Sequence, residues 1–162
     1  MRFTAVMLSL FVLSGCRCGR VTEGTCDGAW GTATVKGAEL DKSSRVVIER
    51  KKTCEDLDVV RYELSWGNGA FATRFSLKGG APTVLAAKDY RLPSSEFMSF
   101  DTTPEKSPEG TVTLGLRGME GDRTGKLVLK NGGQEMSCSF AVSYETEGTL
   151  LSCDPADGGD GG

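Results

Sequence analysis

The sequence predicts an all-β fold, an antiparallel sandwich or small barrel of about eight or nine short strands connected mostly by hairpins. Glycine supplies 22 of the 162 residues, a share that is typical of chains with many tight turns. Apolar and polar residues alternate along several short segments, and this period of two is that of a half-buried strand. No segment repeats at a fixed period, which argues against a propeller or a solenoid.

The first half of the chain contains a clear hairpin. Residues 57–66 place their apolar side chains on one face, and residues 71–77 alternate in the same way. The Gly-Asn-Gly tripeptide between them, at residues 67–69, tolerates the positive φ angles that tight hairpin turns require. Upstream, residues 29–36 alternate and residues 45–50 are β-branched at their centre, so we expect these two segments to pair as an antiparallel hairpin.

The second half repeats this pattern after a long connection. Residues 93–110 hold three prolines and several turn-forming residues, which predicts a crossing loop with at most one short helix, at residues 95–99. Residues 118–125 are predicted to form a charged loop. The strands expected in this half are residues 111–117, 126–130, 136–144 and 149–153.

The N-terminal segment indicates export. Arg2 precedes an apolar run over residues 3–13, which as a helix would span about 16 Å, roughly half of a bilayer core, and is therefore too short to cross it. A short apolar run behind a positive charge is typical of a signal peptide. The run ends in Leu-Ser-Gly-Cys at residues 13–16, which resembles the lipobox of bacterial lipoprotein precursors. The rival interpretation, cleavage by the general signal peptidase, requires a small residue where Leu13 lies.

This resemblance implies where the mature protein is located and how its chain is divided. The Cys16 sulfur would carry diacylglycerol and anchor the chain to the bacterial membrane, with the domain in the periplasm or at the cell surface. Arg17 follows the lipid site where inner-membrane retention would use Asp, which favours the outer membrane if the host has two membranes. The expected parts are a removed signal peptide (residues 1–15), a flexible tether (16–25), a β domain (26–153) and a disordered Asp/Gly tail (154–162).

Six cysteines constrain the fold further. If Cys16 carries lipid, five remain in an oxidising compartment, where disulfides persist. We expect two bridges, each joining the two ends of one predicted hairpin, which leaves Cys18 unpaired in the tether. The expected bridges are Cys26 with Cys54 and Cys138 with Cys153. The alternative is that these four are buried free thiols; a metal site is not expected, since the chain contains no histidine.

Composition and missing motifs argue against several functions. The net charge of −3 is not that of a nucleic-acid-binding protein. The absence of histidine excludes Ser-His-Asp and Cys-His catalysis, and no G-x-S-x-G or S-x-x-K motif is present. An acid/base pair among Glu55, Asp56 and Asp58 is the remaining catalytic alternative. We therefore predict that the protein is not an enzyme and uses no cofactor.

Two functions remain in view. The first is a lipid-anchored cell-envelope lipoprotein with a non-catalytic β-rich binding or structural domain, whose partner is an envelope protein or a cell-wall component held by an exposed sheet face or residues 93–110. For the second, Gly-Ala-Trp at residues 28–30 and Asp-Tyr at residues 89–90 resemble two short lipocalin motifs, which implies a barrel that carries a small apolar ligand. A filled core between residues 57–66 and 136–144 would argue against this carrier, whereas an apolar cavity would favour it.

Overall fold

The chain folds into two stacked sheets in the computed structural model, which describes residues 19–50, 58–78, 87–104, 109–117 and 121–148. These residues form twelve strands and no helix. It follows that none of the described residues belong to a helix able to span a membrane. The predicted all-β, mainly antiparallel fold is confirmed: it is a sandwich, the two sheets do not close into a barrel, and the strands are more numerous than expected.

The strands divide into a large sheet and a small sheet. In chain order they are β1 (Thr22–Glu23), β2 (Thr25–Trp30), β3 (Ala33–Glu39), β4 (Arg45–Glu49), β5 (Val59–Trp66), β6 (Phe71–Lys78), β7 (Lys88–Leu92), β8 (Phe97–Thr103), β9 (Glu109–Arg117), β10 (Asp122–Asn131), β11 (Gln134–Val142) and β12 (Tyr144–Glu147). The large sheet has the order β3-β2-β11-β10-β9-β7, with the short β1 also paired to β11. The small sheet has the order β12-β4-β5-β6-β8, in which β12 runs parallel to β4.

The inner faces of the two sheets meet in a filled core. Tyr62 of β5 packs edge-on against Phe140 of β11, with ring centroids 5.9 Å apart. Phe140 lies over Gly125, its partner on β10, where a Cβ atom would come within 2.5 Å of the ring. A glycine inside this strand therefore makes room for an aromatic side chain. The described parts of residues 57–66 and 136–144 thus meet in a filled core, which is the outcome that argues against a carrier of an apolar ligand.

The β5–β6 hairpin is confirmed, with Trp66 opposite Phe71 across the turn. Asn68 adopts a φ of 58°, in the left-handed region. The Asp41 carboxylate accepts hydrogen bonds from the backbone N–H groups of Asn68 (2.7 Å) and Gly69 (2.9 Å). Successive N–H groups in such a turn form a small anion-binding concavity, so a carboxylate from the β3–β4 connection holds the turn.

The strand predicted at residues 29–36 is wrong as a single element. Gly31, with a φ of 56°, turns the chain between β2 and β3, which pair with each other. β4 pairs with β5 instead of with the preceding strand. The expected tether also ends earlier than predicted, because residues 22–25 already contain β1 and the start of β2.

The second half differs from the expectation in where strands begin. Residues 93–110 contain β8 instead of a simple crossing loop, and part of β8 lies where the short helix was expected. β10 begins at Asp122, inside the expected charged loop. Gly125, which was expected to end that loop, therefore lies within the strand. The chain leaves the large sheet at Ser143 and enters the small sheet as β12. The strand expected at residues 149–153 and the tail at 154–162 lie outside the described residues.

Candidate binding surface

The cysteines are paired differently from the prediction. Cys26 forms a disulfide with Cys138, so neither expected bridge, Cys26 with Cys54 or Cys138 with Cys153, forms. The expectation assumed that the strand carrying Cys26 pairs with β4, whereas β2 pairs with β11 and places the two cysteines directly opposite each other. The predicted lipid site Cys16, and also Cys18, Cys54 and Cys153, lie outside the described residues.

This disulfide is a structural bond within the large sheet. Cys26 is 0% exposed and Cys138 is 2% exposed, so the bridge lies in the core, out of reach of most redox partners. It joins positions separated by 112 residues. In the chain-entropy model, closing a loop of about 100 residues stabilises the fold by about 4.7 kcal/mol.

Several polar side chains of the small sheet form ion pairs that are partly exposed to solvent. Glu63 lies between Arg45 (2.7 Å) and Arg74 (3.3 Å) on the outer face. Burial acts to raise the pKa of Glu63, but the hydrogen bond and charge of Arg45, with Arg74, hold that pKa below its usual range. Asp58, one of the three carboxylates considered for acid/base chemistry, is paired with Arg50 at 2.8 Å. Such pairs organise a sheet face, and those of Glu63 favour its ionised form.

No cluster of three or more metal-ligating side chains occurs within the described ranges. A candidate binding site lies where the two sheets end side by side. β7 is an edge strand of the large sheet and β8 an edge strand of the small sheet. We call β7, β8 and the turn between them the β7–β8 edge.

A groove of about 420 Å³ runs along the β7–β8 edge. Its lining is mixed: Ser94, Ser99 and Glu109 supply polar groups. The apolar lining residues are Leu92, Pro93, Phe97, Met98 and Phe100. Apolar linings with a few polar groups are typical of binding sites.

A β-bulge creates this groove. Ser99 pairs with Ser76, but the next pair joins Phe97 to Leu77, so Met98 has no partner on β6. Simple alternation would place Phe97 and Phe100 on opposite faces; the extra residue turns both toward the core and directs Met98 outward. Met98 is 58% exposed. It is the most exposed large apolar side chain among the described residues.

Aromatic contacts support the residues that line the groove. Phe100 stacks on Phe75 at 5.2 Å, and Phe97 meets both rings edge-on at 5.2 and 5.6 Å. Tyr90 of β7 packs against Phe97 at 5.3 Å, and burial raises the pKa of its hydroxyl. Lys88 lies over the Tyr90 ring at 4.7 Å. The four aromatic side chains therefore join the two edge strands across the sheet boundary.

The sequence contained a faint signal for this surface. Three aromatic or long apolar side chains, Phe97, Met98 and Phe100, occur within four positions, but their spacing fits neither a strand nor a helix. The bulge explains this spacing, because it places Phe97 and Phe100 on the same face of β8. Comparison with known protein families, with characterised proteins and with solved structures finds no match for this chain.

Proposed function

We propose that this chain is a lipid-anchored lipoprotein of the bacterial cell envelope, whose β-sandwich is a non-catalytic binding or structural domain. The observation that carries the proposal is the buried Cys26–Cys138 disulfide, because disulfides persist in oxidising compartments outside the cytosol. The signal sequence that ends in Cys16 supports the same location independently. Arg17 favours the outer membrane where two membranes exist.

The β7–β8 edge is the binding surface in this proposal. One side of β8 pairs with β6, and its other side meets no further strand among the residues that the structure describes. An unpaired strand edge offers backbone donors and acceptors to an extended peptide, and a neighbouring apolar groove can take its side chains. We therefore favour an extended segment of another envelope protein as partner over a cell-wall glycan. The net charge of −3 gives no support to a nucleic acid.

The alternative, a lipocalin-like carrier, receives less support. Trp30 of the lipocalin-like motif is fully buried and donates its indole N–H to the Thr102 hydroxyl of the opposite sheet at 3.1 Å. Tyr62 and Phe140 fill the space between the sheets nearby. Within the described ranges, the interior is therefore occupied by side chains where a carrier needs an apolar cavity.

Metabolic labelling with a fatty-acid analogue tests the lipid anchor. The unsubstituted chain and Cys18→Ser should both be labelled, since Cys18 lies two residues beyond the lipid site. Cys16→Ser should lose the label and accumulate with its signal peptide uncleaved. Labelling of Cys16→Ser at the level of the control would contradict the proposal.

A photo-crosslinking residue tests the binding surface. Placed at position 98 in the groove, it should give one defined adduct with an envelope protein in cells. Placed at Lys126, which is exposed on β10 of the large sheet, it should give none. Adducts of equal yield from both positions would show that the groove does not select a partner.

A further inference from the structure

The chain enters the sandwich at a point fixed by hydrogen bonds. The Val21 N–H donates to the Ser143 hydroxyl at 2.8 Å, and the Ser143 N–H donates to the Val21 carbonyl at 2.9 Å. The Ser143 hydroxyl in turn donates to Asp122 at 2.9 Å. Arg20 pairs with Glu145 at 2.6 Å. Contacts on both sides of position 144 therefore hold the N-terminal segment.

The short distance along the chain from Cys16 to this point limits where a membrane can lie. Val21 is the fifth residue after Cys16, and a fully extended chain covers about 17 Å over these five steps. A lipid on Cys16 therefore keeps Val21 and its neighbours within about 17 Å of the bilayer surface.

Tyr144 is the exposed side chain at this place. It is 38% exposed and, with Met98, is one of two exposed large apolar side chains in the described part of the chain. Arg123 lies over its ring, with the guanidinium carbon 5.2 Å from the centroid. Tyrosine is enriched where apolar and aqueous phases meet at a membrane, and guanidinium groups bind phosphates.

We infer that the end of the sandwich formed by Val21, Ser143 and Tyr144 rests on the membrane surface, with the Tyr144 ring in the lipid headgroup region. This inference rests on the proposed lipid anchor and adds the orientation of the domain. Charge at this end is balanced, because Arg20 and Arg117 face Glu145 and Asp122. The contact therefore depends on the aromatic ring and the lipid more than on anionic headgroups.

The same orientation directs the groove away from the membrane. Leu92, which lines the groove, pairs with Gly110 on β9, whereas Arg117 at the other end of β9 pairs with Asp122. These two positions on β9 lie seven residues apart, which is about 23 Å along a strand. The anchored end and the groove are thus at opposite ends of the large sheet, and a partner can reach the groove.

Tryptophan fluorescence of the lipidated full-length chain in phosphatidylcholine vesicles tests the orientation. Tyr144→Trp is compared with Met98→Trp, and the signal of buried Trp30 and Trp66 is subtracted using the unsubstituted chain. Headgroup-labelled quencher lipids should quench the indole at position 144 at least threefold more than that at position 98. An aqueous quencher should show the reverse order. Thr146→Trp, on the same strand, replaces Tyr144→Trp if the latter unfolds.

Mass spectrometry of the N-terminal peptide from the same samples separates the two ways of failing. Peptide without a lipid on Cys16 would overturn both the proposed anchor and the orientation. Lipid on Cys16 together with equal or stronger lipid quenching at position 98 would overturn the orientation and leave the anchor standing.

Discussion

The β2–β11 pair and the β7–β8 edge each join two strands, but by different interactions. β2 is joined to β11 by a buried disulfide, and the Gln134 side chain bonds both backbone groups of Gly31, at 2.7 and 3.0 Å. The β7–β8 edge has no such bond in the described residues; the packed rings of Tyr90 and Phe97 join its strands, and Met98 remains exposed. One region fixes the fold, while the other leaves apolar surface for a partner.

Loss of the disulfide is the largest effect expected at the β2–β11 pair. The double variant Cys26→Ala, Cys138→Ala should lose about 4 kcal/mol of unfolding free energy, measured by urea denaturation. Reductant present during unfolding should weaken the unsubstituted chain by at least as much as the double substitution does. A loss below about 1 kcal/mol would mean that hydrogen bonds alone hold β2 on β11.

A smaller loss is expected when the core beside this pair is overfilled. In Gly125→Ala, the new Cβ would lie 2.5 Å from the Phe140 ring and 2.6 Å from the Thr113 carbonyl, so the unfolding free energy should fall by about 2 kcal/mol. Gly115→Ala on β9 is the matched control, since its nearest contact would be the Thr124 hydroxyl at 3.3 Å. Equal losses in both variants would show that the Phe140 ring is not what requires glycine at position 125.

Tyr62 gives a prediction of opposite sign. Its hydroxyl is buried and accepts or donates no hydrogen bond among the described residues, so Tyr62→Phe should stabilise the fold by about 1 kcal/mol. Burial raises the pKa of Tyr62 above that of an unfolded chain. Its contribution to stability is thus complete below about pH 10 and is lost as the pH rises further.

Urea midpoints measured between pH 8 and pH 11 check this linkage. The unsubstituted chain should lose stability above about pH 10, and Tyr62→Phe should lose less. Tyr90→Phe, at the β7–β8 edge, should also lose less stability at high pH, because burial raises the pKa of Tyr90 as well. A Tyr62→Phe variant as sensitive to alkali as the unsubstituted chain would place the titrating group elsewhere.

The smallest effect on stability is expected at the exposed residue of the edge. Met98→Glu should change the unfolding free energy by less than about 0.5 kcal/mol, as exposed substitutions usually do. It should nevertheless abolish the crosslink formed from a photoreactive residue at position 99, next to it in the groove. Unfolding of Met98→Glu together with loss of binding would make position 98 part of the fold instead of the site.

Local patterns predicted local structure well. The β5–β6 hairpin followed from alternation and a turn tripeptide, because both strands and their turn lie within one stretch of sequence. Pairing between β2 and β11 joins segments more than one hundred residues apart, and no local pattern encodes it. The predicted cysteine bridges failed for this reason, since each assumed that neighbouring strands pair.

The candidate surface was hidden by a departure from periodicity. The sequence predicts residues 93–110 as a possible contact region but assigns them to a loop. The strand β8 is missed because prolines surround it and because the bulge at Met98 interrupts its alternation. The proposed lipid site is the opposite case, because a contiguous motif at residues 13–16 predicts it without reference to tertiary structure.

The mass and sequence of the mature N-terminus test the proposed function most directly. Protein purified from bacterial membranes should begin at Cys16 and carry diacylglycerol on that sulfur, with the Cys26–Cys138 bridge intact in the non-reduced digest. A mature chain that begins at another residue, or one with an unmodified Cys16 thiol, would contradict the lipid anchor and the orientation built on it.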